Sequence, residues 1–128
     1  MSERRYRVAP GGRLRGEIRV PGDKSVSHRA VLLGGIAHGT TKITGFLESA
    51  DCLATLAAMR LMGVRVERPA HGHVVVHGVG LHGLRAPNAA LDMGNAGTAL
   101  RLSMGLLAGQ SFATTLVGDA SLTRRPKI

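Results

Sequence analysis

The chain has 128 residues and a formal net charge of +9, with one Tyr, two Phe and no Trp. That length is about one domain, and no apolar run approaches the roughly 20 residues of a membrane-spanning helix. Little aromatic surface is available for stacking bases and the basic residues are dispersed, which argues against nucleic acid and for a small acidic substrate.

The charged N-terminus, from Met1 to Arg7, lacks the apolar core of a secretory signal, so a cytoplasmic protein is the expectation. Cys52 is the only cysteine and forms no intrachain disulfide. Set among Leu53, Leu56 and Ala57, it reads as a small core hydrophobe.

In chain order, residues 1–12 read as a flexible start closed by Pro10-Gly11-Gly12. Leu14, Gly16, Ile18 and Val20 alternate with charged residues, which predicts a half-buried strand ending at Pro21. Asp23 and Ser25 are good N-caps, and Val26, Ala30, Val31, Leu33, Gly34 and Ala37 recur at helical spacing up to a stop at Gly39. A strand over 40–47 follows, and then a helix over 51–62, capped by Ser49 and stopped by Gly63. Segments 64–67 and 73–79 predict a hairpin around Pro69-Ala70-His71-Gly72. Beyond a loop over 81–90, a glycine-punctuated turn runs into a helix that ends near Gly109. A strand over 112–117 and a basic loop over 118–126 complete the pattern.

The stretch Pro21-Gly22-Asp23-Lys24-Ser25-Val26-Ser27-His28-Arg29-Ala30 carries the chemistry. Lys24 and Ser25 fall at a helix start, where unpaired N–H groups and the positive end of the macrodipole favour a phosphate or carboxylate. Arg29, about one turn further on, reaches the same anion with a bidentate fork. A solvated basic turn is the plainer alternative, yet cations at that end cost stability unless an anion answers them. The G-x-x-x-x-G-K-[ST] nucleotide loop is not matched, because Asp23 separates Gly22 from Lys24. His71, His73, His77 and His82 raise a metal reading, with His71 and His73 on one strand face. They lack a Cys or clustered carboxylates to complete a ligand set, so no metal is expected.

The Arg29 helix, its glycine stop and the Thr-rich strand after it are echoed by the Arg101 helix, its stop at Gly109 and the strand over 112–117, at an offset of 72 residues from position 29 to 101. A repeated supersecondary unit implies that one copy does not close a core alone. Two anion cradles side by side suit a pair of anionic substrates.

Three ordered motifs resemble the N-terminal signatures of the 5-enolpyruvylshikimate-3-phosphate synthase family. These are Pro21-Gly22-Asp23-Lys24-Ser25-Val26-Ser27-His28-Arg29, the run from Leu91 to Arg101 with Gly94-Asn95-Ala96-Gly97-Thr98, and Gly118-Asp119 ending in Arg125-Pro126. The resemblance implies an α/β (α+β) fold of βαβαββ units, the inside-out α/β barrel of enolpyruvyl transferases. Residues 13–128 would form part of one domain, the first unit and part of the next, with the second domain absent.

It implies transfer of the enolpyruvyl group of phosphoenolpyruvate to the 5-hydroxyl of shikimate 3-phosphate, with release of phosphate and no cofactor. By the same resemblance, Lys24, Ser25 and Arg29 bind shikimate 3-phosphate, Lys24, Gly97 and Arg125 bind phosphoenolpyruvate, and Asn95 and Arg101 support that loop. The family's acid and base candidates lie on the other domain and have no counterpart here. Two rivals are the related transferase acting on UDP-N-acetylglucosamine, whose reactive loop Cys has no match in 118–126, and a basic binding module without catalysis.

Overall fold

The computed structural model describes residues 3–126; Met1 and Ser2 of the expected flexible start lie outside them, as do Lys127 and Ile128. Two helices and an antiparallel sheet occupy the first half: α1 Lys24–Ile36, β1 His38–Ile43, α2 Ala50–Leu61, β2 Arg65–Ala70 and β3 His73–Val79. The sheet order is β1-β3-β2, so β3 is central, with Thr41 and Val66 both opposite Val76. Alternation along β3 turns Val74 and Val76 inward, where they join Val31 of α1 and Met59 of α2 as fully buried side chains. Each such side chain contributes on the order of 1.5–3 kcal/mol by leaving water.

Caps set the helix boundaries. The Asp23 side chain accepts from the Val26 N–H at the start of α1, and Ser49 accepts from the Cys52 N–H at the start of α2. Cys52 is a buried free thiol within that core. The buried stripe of α1 is Ser27, His28, Val31, Leu32, Gly34 and Gly35, whereas Val26 and Leu33 of the predicted apolar face are exposed. Two polar residues take part of the face that an apolar count alone assigned elsewhere.

The second half begins with β4 Leu91–Asp92 and continues through α3 Gly97–Ala108 and β5 Leu116–Val117 to α4 Ala120–Arg124. β4 and β5 pair in parallel, Leu91 with Leu116 and Asp92 with Val117, and α3 is the crossover between them. The strand expected over 112–117 is therefore only two residues long, limited by the length of its partner.

Two further expectations are corrected. Residues 118–126 are not all loop, because Asp119 accepts from the Leu122 N–H and starts α4, which buries Leu122. Residues 14–20 form no strand, and Leu14, Ile18 and Val20 are exposed. Their alternation supplies a face, but none of the described strands offers this segment a ladder partner, and a strand requires one to satisfy its backbone groups.

Candidate anion site at two helix starts

At α1, the chain enters through Gly22. A Cβ there would lie 1.9 Å from the Gly45 carbonyl oxygen, so the close approach admits only glycine. Ser27 Oγ donates to the Asp23 carbonyl at 2.6 Å and accepts from the Leu47 N–H at 3.1 Å, which ties the start of α1 to the segment after β1. Lys24 opens the helix and its ammonium pairs with the carboxylate of Asp51, in the first turn of α2. The Lys24 side chain is 47% exposed, so this pair is worth at most about 1 kcal/mol and an incoming anion can compete for the cation. Arg29 is exposed, and its Nη1 donates to the Ser25 carbonyl at 3.1 Å. Lys24, Ser25 and Arg29 thus sit together on the first turns of one helix.

At α3 the N-cap position is Ala96, which has no side chain to satisfy the first N–H groups. Gly97, the first helical residue, is buried. A Cβ on Gly97 would stand 3.0 Å from Arg101 Nη1 and 3.2 Å from Arg125 Nη1, so two guanidinium groups converge over its α-carbon. Arg125 Nη2 donates to the Asn95 carbonyl at 2.9 Å and to Asn95 Oδ1 at 2.5 Å. Asn95 Nδ2 in turn donates to both Asp119 oxygens, at 3.0 and 2.9 Å, and Arg101 Nη2 donates to the Pro126 carbonyl at 2.7 Å. The Leu122 N–H, the Asn95 amide and the Arg125 charge hold the Asp119 carboxyl below the usual carboxylate range. Two like charges beside the positive end of a helix form a place where an anion is favoured.

Arg29 of α1 and Arg101 of α3 both line a groove of about 600 Å³, walled by Leu32, Ile36, Leu102 and Leu106. The 72-residue echo thus brings its paired arginines to neighbouring helices. The histidines considered as metal ligands are apart in role: His71 lies in the β2–β3 turn, His73 and His77 on β3, and His82 in the following loop. Among the described residues no group of three or more His, Cys, Asp or Glu side chains is arranged to hold a metal ion.

Sequence alone assigns no contact in the site to Asp51, to Asp119 of the third motif, or to the buried pair of His28 and Thr55. Asp51 reads as a favourable helix-start acid, and nothing local shows that it meets Lys24 across the α1–α2 contact. The Asx cap at Asp119 was the one available signal for α4, and with it the anchor of Asn95.

Similarity to solved structures places this fold among the enolpyruvyl transferases. A structure described as EPSP synthase from Acinetobacter baumannii superposes with a TM-score of 0.82 at 58% identity, covering 88% of this chain and 26% of that one. A family model described as EPSP synthase (3-phosphoshikimate 1-carboxyvinyltransferase) matches residues 8–127, and the chain belongs to that family. The 3-phosphoshikimate 1-carboxyvinyltransferase of Methylococcus capsulatus is 62% identical over 121 residues, which are 94% of this chain and 28% of the relative. That of Alkalilimnicola ehrlichii is 65% identical over 121 residues, 94% of this chain and 27% of the relative. The chain spans a little over a quarter of the length of these relatives.

Proposed function

We propose that this chain is the substrate-phosphate-binding part of an enzyme that transfers the enolpyruvyl group of phosphoenolpyruvate to the 5-hydroxyl of shikimate 3-phosphate. In that reaction a bond forms between the 5-hydroxyl oxygen and C2 of phosphoenolpyruvate, the C2–O bond to phosphate breaks, and phosphate leaves. Lys24, Ser25 and Arg29 hold shikimate 3-phosphate, and Gly97 and Arg125 hold phosphoenolpyruvate, with Lys24 reaching both. Asn95 and Asp119 orient Arg125, and Arg101 braces the same loop through Pro126. Preorganised cations and helix N–H groups stabilise charge developing on the leaving phosphate without rearranging as it forms. The methylene carbon takes up a proton as the new C–O bond forms and gives it back as phosphate leaves, while the 5-hydroxyl proton passes to a base; on this reading the acid and base lie in the family's other domain.

In the same reading, residues 24–79 are one βαβαββ repeat without its first strand, and residues 91–124 open the next. The observation that carries the proposal is the convergence of Arg101 and Arg125 on Gly97 at an uncapped helix start. Amide NMR titration of the chain tests it. Shikimate 3-phosphate is expected to move resonances of residues 24–29, and phosphoenolpyruvate those of residues 95–101 and 125. Shifts confined to other basic segments, such as Arg13 to Arg19, contradict the assignment.

A further inference from the structure

α1 and α2 face each other through two polar rungs. Lys24 and His28 are four residues apart on α1, and Asp51 and Thr55 are four apart on α2, a spacing that stacks each pair on one helix face. The upper rung is the partly exposed Lys24–Asp51 ion pair. In the lower rung His28 Nδ1 lies 2.8 Å from Thr55 Oγ1, with both residues fully buried. Between the rungs, Cys52 Sγ donates to the Lys24 carbonyl at 3.6 Å.

A buried polar pair surrounded by apolar side chains stabilises little compared with apolar residues of the same shape, because its desolvation offsets the hydrogen bond. Such a pair does fix geometry, since only one approach of the two helices satisfies it. His28 Nε2 has no hydrogen-bond partner among the described residues, so an imidazolium would bury an unanswered N–H. Burial, with Lys24 and Arg29 nearby and only Asp51 opposing, holds its pKa below the usual 6.5. The neutral ring leaves Lys24 as the cation that Asp51 answers at this contact.

We propose that His28 and Thr55 are positioning residues for Lys24: their buried hydrogen bond sets the approach of α1 to α2 one helical turn beneath the Lys24–Asp51 pair, and so aims the ammonium. The proposal rests on the reading of Lys24 as a phosphate ligand. Small displacements of such a group are costly, since misplacing a catalytic contact by about 1 Å can lose about a hundredfold in rate.

The test compares Thr55→Val, which keeps shape and removes the hydroxyl, with Thr55→Ser, which keeps the hydroxyl. The readouts are the ¹³Cε relaxation order of Lys24 in the chain and its affinity for shikimate 3-phosphate. Thr55→Val is expected to lower the order and weaken binding roughly three- to tenfold, the size of one neutral hydrogen bond, and Thr55→Ser to restore both. A purely structural pair would change the melting temperature and leave Lys24 order as in the parent chain, and that result overturns the proposal. If Thr55→Val does not fold, His28→Asn keeps a hydrogen-bonding atom near the Nδ1 position and His28→Leu does not. Parent-like order with Asn and reduced order with Leu is then expected, and equal order in the two overturns the proposal. The order measurement needs no ligand, so it decides this point even if Lys24→Ala leaves shikimate 3-phosphate affinity unchanged, which would instead overturn the reading of Lys24.

Discussion

Arg125 is fastened to Asn95 twice by one nitrogen: Nη2 donates to the Asn95 backbone carbonyl at 2.9 Å and to its side-chain oxygen at 2.5 Å. Asn95 is itself oriented by Asp119, which also caps α4, so the position of the guanidinium depends on a carboxylate across the β5–α4 turn. Asn95→Leu is expected to leave α4 capped while releasing Arg125 from its side-chain acceptor. In a chimaera joining this chain to the remaining residues of the Methylococcus capsulatus relative, the KM for phosphoenolpyruvate should rise about tenfold, the scale of one charge-assisted hydrogen bond. An unchanged KM would show that Arg125 is placed by other contacts.

Gly97→Ala separates packing from binding. The new methyl meets Arg101 Nη1 at 3.0 Å and Arg125 Nη1 at 3.2 Å, both far ends of flexible side chains. Gly97 is the first residue of α3, where the interior preference for alanine of roughly 0.5–1 kcal/mol does not apply in full, so melting should stay close to the parent's. Anion affinity should fall, and a phosphonate mimic bulkier than phosphoenolpyruvate should lose more than phosphoenolpyruvate does. Equal affinities of both ligands in parent and variant would rule out contact at Gly97.

Acid should weaken the fold in two separate windows. His28 has a folded pKa below its ordinary 6.5, so the unfolded chain takes up the proton first as pH falls. Stability is then full above about 6.5 and declines below it, toward the lowered folded value. Glu48, held down by the Gly72 N–H and Arg68, and Asp119, held down by the Leu122 N–H and Asn95, act at lower pH. Their contribution is present above ordinary carboxylate values and is lost as pH drops through their depressed folded ones. Urea unfolding at pH 7 and pH 5.5 should show the first decline, and His28→Asn should remove it. A decline of equal size in His28→Asn would assign it to other groups.

Much of this fold was legible where a local signal decides. Asp23 and Ser49 are short polar caps before helical runs, and both boundaries stand within one residue of the structure. The β2–β3 hairpin was marked by Pro69 and Gly72, and the stop of α3 by Gly109. What was not legible depends on distant partners. The alternation of Leu14, Ile18 and Val20 is a true strand pattern, but a pattern does not supply a neighbouring strand. In the site, Lys24, Ser25 and Arg29 share one helix and could be grouped from spacing. Asp51, Thr55 and Asp119 reach it from 24 to 27 residues away, through contacts that no local pattern encodes.

A polypeptide of these 128 residues is expected to show no phosphate release with both substrates, because it spans only 28% of a related enzyme's length and, on the proposed reading, the acid and base of the reaction lie outside it. A colorimetric phosphate assay decides this. Release abolished by Lys24→Ala would mean that the chemistry needs only what is here.

On the proposed reading Lys24 supplies one charge to both substrates, and Lys24→Ala in the chimaera removes it while leaving Asp51, His28 and Thr55 in place. Steady-state kinetics should show kcat/KM reduced by several kcal/mol of transition-state stabilisation, on the order of a hundredfold or more. Retention of more than about a tenth of the parent kcat/KM would contradict a role for Lys24 at both phosphates.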